Sequence, residues 1–291
     1  MMISFFICVF LPVSGFAQTF SEWQKDIEIL ANLIDKYHPA PWTSISKTSF
    51  VQRSEETKRN LKHWNTEKIT LEIVKLVASL KDGHTEVLLD NQYNFNRWYP
   101  VRLEKFDDGI FITAIDKQHS NLLGAKTLKF ENHPVDSVYN RFAEMIAADS
   151  EQGIARRITN YFSNAVLLET LGITKNHNSL QLSLLLPDGE IKDVILNSSS
   201  WSNNYNWAWN RQAIPGDEEC VSIFDDKLDR LPLYLTKVLP TTAWDPYWFE
   251  YLPDDRMLYF QYNEVKDRSE KPFQEFMVEL FKTFDENASE I

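Results

Sequence analysis

The sequence predicts an α+β multidomain protein, on three observations. Apolar residues recur at helical intervals as far as Leu80; turn signals and strand-like alternation fill the stretch from Thr85 to Asn197; and a strand followed by a helical stripe ends at Phe284. The domains expected from these textures are a signal peptide at 1–17, a helical domain at 18–84 and a β-rich domain at 85–197. A Trp-rich connector at 198–232 and the beginning of an α/β core at 233–291 complete the order.

The elements follow in order. Phe20, Trp23, Ile27, Leu30, Ile34 and Tyr37 share one face of a first helix, which His38-Pro39-Ala40-Pro41 ends. A charged helix spans about Phe50 to Leu61. A third carries Ile69, Ile73, Leu76, Val77 and Leu80, with Gly83 placed as its C-terminal cap. Asp107-Asp108-Gly109 marks a hairpin between Val101–Glu104 and Ile110–Thr113. Ile154, Ile158, Tyr161, Phe162, Ala165, Leu168 and Leu171 mark one long amphipathic helix capped by Gly172. Leu180, Leu182, Leu184 and Leu186 alternate before Pro187-Asp188-Gly189 turns the chain into Val194-Ile195-Leu196. In the connector, Trp201, Tyr205, Trp207 and Trp209 either pin it to a neighbouring domain or form a stacking platform for sugar or peptide. Met257–Tyr262 reads as a buried strand. Phe273, Phe276, Met277, Leu280, Phe281 and Phe284 then line one helix face, which needs a β-layer to cover it. A core that begins and does not finish is the expectation, with self-association through the uncovered face of 273–284.

Composition narrows the function. With 43% hydrophobic and 25% charged residues the chain is of ordinary globular type, which excludes a mainly disordered protein. Lys and Arg number 30 against 42 Asp and Glu, a net charge of −12, and no basic stripe offsets it, so nucleic acid is not an expected partner. The 8 glycines form no G-x-G, and C-x-x-C, H-E-x-x-H and G-x-S-x-G are absent, so nucleotide-loop, zinc and α/β-hydrolase chemistry lack their usual motifs.

Met1–Ala17 carries no charged side chain, and its apolar centre is shorter than the roughly 20 residues that span a bilayer. Gly15 and Ala17 are small residues two apart, which places signal cleavage after Ala17 and makes the protein exported, periplasmic or secreted, with no membrane span. The alternative is a buried N-terminal strand. Cys8 leaves with the signal, so Cys220 has no intramolecular disulfide partner and is read as packing.

His84 is the histidine with a context. It follows the third helix in Leu80-Lys81-Asp82-Gly83-His84-Thr85, on a loop held by a rigid element. Helix-end carbonyls favour an imidazolium and Asp82 can orient the ring, which suits a general base; the alternative is a surface histidine after a helix end. His38, His63, His119, His133 and His177 have no partner at metal-ligand spacing, so neither metal nor cofactor is expected.

Several stretches together resemble the tail-specific, or C-terminal-processing, serine peptidase family, which includes the tricorn core and interphotoreceptor retinoid-binding protein repeats. They are Tyr37-His38-Pro39 before Trp42, Leu76–Thr85, Phe106–Thr113, Leu122-Leu123-Gly124-Ala125 and Tyr259–Asn263. The resemblance implies an N-terminal helical domain, a PDZ-like domain and a crotonase-like α/β catalytic core. It also implies a peptide or protein substrate and a general base at His84, with Asp82 and Thr85 beside it, serving a serine assisted by a glutamate. In the family the serine lies beyond the strand that follows the helix of Phe273–Phe284, on a glycine-rich Asp-Leu-Arg strand and loop that this sequence does not contain. The chain is therefore expected to be inactive alone. Glu131-Asn132-His133-Pro134 replaces the family's usual Asn-Gly turn, so the turn is expected to differ. Two other readings stay open: a non-catalytic peptide- or lipophile-binding module, and a truncated reading frame.

Overall fold

Short polar side chains start the helices of the first part of the chain. In the computed structural model, which describes residues 19–89, 93–200, 220–223 and 245–289, α1 (Phe20–Tyr37) opens with a capping box. Thr19 Oγ1 accepts from Glu22 N, and Glu22 Oε2 accepts from Thr19 N at 2.7 Å. Ser46 and Asn65 cap α2 (Lys47–Asn60) and α3 (Thr66–Ala78) by accepting from Ser49 N and Lys68 N, without the reciprocal bond. Trp23, Ile27, Leu30 and Ile34 bury one face of α1 against Phe50, Leu61, Ile69, Ile73, Leu76, Val77 and Leu80. Phe20 and Tyr37, at the ends of the predicted stripe, are exposed.

The β-rich part is antiparallel. β1 (Arg97–Trp98), β2 (Val101–Phe106), β3 (Gly109–Asp116), β4 (Lys126–Phe130) and β5 (His133–Pro134) precede three helices. These are α4 (Val135–Ala143), α5 (Glu151–Ile158) and α6 (Ala165–Thr170). β6 (Ser179–Leu185), β7 (Ile191–Asn197), β8 (Ser199–Ser200) and β9 (Cys220–Ser222) follow. Among the described residues the main sheet runs β2-β3-β4-β6-β7, with β5 on β4 and β9 on β3; β1 pairs separately with β8. The Asp107-Asp108 turn sets Phe106 opposite Gly109, and the Leu180, Leu182 and Leu184 face of β6 is fully buried, as alternation predicts. α3 serves both cores: Leu71 and Val74 join the sheet's apolar cluster while Ile69, Ile73, Leu76 and Val77 pack with α1.

The chain divides into two compact units, Met1–Asp225 and Asp226–Ile291. In the second, β10 (Tyr247–Leu252) and β11 (Met257–Tyr262) form an antiparallel hairpin, followed by the helix α7 (Phe273–Asn287). Phe276 and Leu280 are buried and pack with Tyr247, Phe249 and Leu258. The mixed helix and antiparallel sheet make this an α+β protein. No helix among the described residues is long and apolar enough to cross a membrane.

Four sequence expectations are corrected. The long helix over 154–171 is two helices, because Asn164 leaves the helical path to cap α6 through Leu167 N and to donate to Phe95 O. Gly83 is not the cap of α3, which ends at Ala78; Lys81, at φ 51°, takes the left-handed position. β11 is not buried: β10 pairs with it antiparallel, and its side chains keep contact with solvent. The apolar face of 273–284 is not wholly uncovered: Phe276 and Leu280 lie under the hairpin, while Phe281 is 57% and Phe284 42% exposed. The changed turn also has a specific form, in which Glu131, at φ 51°, takes the left-handed position before β5. Residues 1–17 and the connector's Trp201, Tyr205, Trp207 and Trp209 lie outside the described residues.

Candidate functional site

The loop after α3 is organised around one carboxylate. Asp82 accepts His84 N on Oδ1 at 3.0 Å, and on Oδ2 it accepts the Thr85 hydroxyl at 2.7 Å and His38 Nε2 at 2.8 Å. Thr85 N donates to Asp82 O at 3.1 Å, closing the turn. The side chain does what helix interiors disfavour and turns reward, satisfying backbone and neighbouring donors locally. Burial pushes the Asp82 carboxyl up, but its hydrogen bonds from His84 N, Thr85 and His38 outweigh that and hold it below the ordinary carboxylate range.

His38 enters this site from the end of α1. Its backbone N–H caps the helix on Ile34 O, and the following Pro39 prevents continuation. Ala40 N donates to His38 Nδ1 at 3.1 Å, so the network assigns the proton to Nε2, the atom facing Asp82. The His38 side chain is only 7% exposed. Its ring faces Asp82 rather than solvent.

His84 is the opposite case, with a side chain 73% exposed. Its Nδ1 stands 3.6 Å from Asp82 Oδ1, beyond hydrogen-bond length, so the expected orientation of the ring by Asp82 takes another form. Asp82 fixes the His84 backbone and leaves the imidazole open to solvent. Thr85 is buried beneath, bonded to Asp82.

The same loop is gripped from a distant part of the sequence. Asp149 Oδ2 accepts Gly83 N at 3.2 Å, Arg157 Nη2 donates to Gly83 O at 2.6 Å, and Arg157 Nη1 pairs with Glu86 Oε2 at 2.7 Å. A β-carbon on residue 83 would stand 2.8 Å from Asp149 Oδ2. Glycine here gives the Asp149 side chain close approach, and does not serve as the helix cap. Asp82, His84 and Thr85, singled out in the sequence, lie in one turn. Sequence reasoning missed His38, Asp149 and Arg157 as parts of the site; the Tyr37-His38-Pro39 stretch was the one signal in view, and nothing local marks the other two.

Chemically, the arrangement presents an exposed imidazole on a backbone held by Asp82, Asp149 and Arg157. It is suited to accept or deliver a proton, or to contribute a nitrogen ligand. No cofactor cradle is evident among these residues.

No protein-family model matches the chain, and no curated protein matches it. It is similar to solved structures of CPAF. For mature CPAF the TM-score is 0.47 at 14% identity, covering 91% of this chain and 53% of that one. For mature CPAF complexed with lactacystin the TM-score is 0.43 at 14% identity, covering 74% and 39%. A CPAF mutant gives 0.43 at 15%, covering 62% and 34%. The chain therefore spans about half, or less, of the length of these structures.

Proposed function

We propose that this chain is the front portion of an exported serine-type peptidase, in which His84 is the general base and the nucleophilic serine is supplied from outside the chain. The supporting observation is the contrast at the Asp82 turn: the backbone of Gly83-His84-Thr85 is fastened by three side chains, while the His84 ring is exposed. A general base needs that combination of fixed position and accessible lone pair. The motifs Asp82-Gly83-His84-Thr85 and Tyr37-His38-Pro39, which carry the resemblance to tail-specific peptidases, meet in this one turn through the His38–Asp82 bond. In this reading the helical part, a PDZ-like β-rich part and the first elements of a crotonase-like core precede the missing serine loop, and the chain alone does not turn over.

The test is to express the reading frame extended downstream until it includes a serine-bearing loop, and to assay peptide hydrolysis. The proposal expects hydrolysis by the extended protein, none by the 291-residue chain, and none by the extended His84→Ala protein. An unrelated gene directly after the stop codon, or turnover by His84→Ala, would contradict it.

A second reading, a non-catalytic peptide- or lipophile-binding module, is favoured by α7. Its outward side exposes Val278, Phe281 and Phe284. Saturable binding of hydrophobic peptides by the 291-residue chain, abolished by Phe281→Asp, would support this reading over the first.

A further inference from the structure

We propose that Asp82, His84 and Asp149 form a binding site for a divalent transition-metal cation of the zinc class. One ligand atom from each of the three lies within 4.8 Å of the others. Two come from the turn after α3 and the third from the segment between α4 and α5, and no spacing in the sequence unites them. What unites them is the bond from Gly83 N to Asp149, reinforced by Arg157 on Gly83 O.

The donor set decides the class of ion. Two carboxylates alone would be unremarkable on a chain of net charge −12, where acidic pairs arise by chance. An imidazole between them changes the preference toward zinc and its neighbours and away from magnesium, which takes oxygen ligands and water. Zinc bonds of about 2.0–2.2 Å put neighbouring ligand atoms roughly 3.3 Å apart, so the set closes by an ångström or so on binding. The His84 side chain, 73% exposed, is free to make that movement. Asp82 is already oriented by His38 and Thr85, the kind of outer hydrogen bonds that fix a ligating carboxylate. Arg157 does not cancel the attraction, since its charge is paired with Glu86. With three protein ligands, the remaining position is left to water.

The site stands without the peptidase reading. Where that reading also holds, a cation on the imidazole occupies the lone pair a general base uses, so metal binding and base catalysis exclude one another at His84.

Calorimetric titration of the chelator-stripped full chain with zinc chloride, with the imidazole NMR signals followed in parallel, tests the proposal. One saturable site is expected, with the His84 ring signals moving first among the six histidines. His84→Ala and Asp149→Asn are each expected to weaken binding by about tenfold or more, with the thermal midpoint unchanged. Asn keeps an oxygen for Gly83 N, so the second variant removes ligand charge without opening the loop. No saturable binding up to about 1 mM zinc, binding led by another histidine, or either variant within about threefold of wild type would overturn the site.

Discussion

His38 Nε2 and Asp82 Oδ2 lie 2.8 Å apart, and this bond ties the end of α1 to the turn that carries His84. The two residues are 44 positions apart in the chain. Because Ala40 N–H occupies Nδ1, the ring acts toward Asp82 as a donor. Removing it leaves a partly buried carboxylate one partner short. His38→Ala is therefore expected to cost about 1–2 kcal/mol of stability by urea unfolding, and His38→Gln, which retains a donor, less than half of that. Equal losses in the two variants would show that ring packing, not the hydrogen bond, matters.

Gly83→Ala places a β-carbon against Asp149 and disturbs the bond that Gly83 N makes to it. A loss of about 1 kcal/mol is expected. In a double-mutant cycle with Asp149→Ala the two losses should fall short of adding, because both remove the same contact. Strict additivity would separate the two residues energetically.

The capping box of α1 gives a pH dependence. Bonds from the Thr19 backbone and hydroxyl hold the Glu22 carboxyl below its usual value of 4.5. A lowered folded pKa means that the contribution is complete above the unfolded value and disappears as pH falls through the folded one. Amide exchange in the first turn of α1 should accelerate below about pH 4 relative to the middle of the helix, beyond the intrinsic trend. Glu22→Gln should abolish that change; an identical acid profile in the variant would remove Glu22 from the effect.

Within α7 the two phenylalanines Phe276 and Phe281 should behave differently. Phe276 is 3% exposed beneath the hairpin, and Phe281 is 57% exposed. Truncation of Phe276 to Ala is expected to cost about 3–5 kcal/mol, whereas Phe281→Ala should stay within about 0.5 kcal/mol. Thermal unfolding of the two variants distinguishes them, and a large loss at Phe281 would mean that its face is covered in solution.

What the sequence made legible was local. The Trp23–Ile34 stripe of α1, the Asp107-Asp108 turn and the alternation of Leu180, Leu182 and Leu184 each depend on one period or one turn, and each appears in the structure. Contacts between distant segments were not legible. Asn164 breaks a helix whose apolar spacing runs on unbroken, because Phe95 and Leu167 both claim its side chain. The strand Tyr247–Leu252 has no clear two-residue alternation and is defined by its partner Met257–Tyr262. At the site, Asp82 and His84 could be read because they are neighbours in one turn, whereas Asp149 and Arg157 arrive from more than sixty residues away.

Placing a proton acceptor at His84 is the claim on which the functional reading turns. The most direct measurement is kcat/KM for peptide hydrolysis by a longer form that carries the serine, compared between wild type and His84→Ala at matched thermal stability. A fall of about 10⁴-fold or more, with the unfolding midpoint unchanged, is the predicted result. Hydrolysis within about tenfold of wild type would contradict the assignment and leave the Asp82 turn a structural feature.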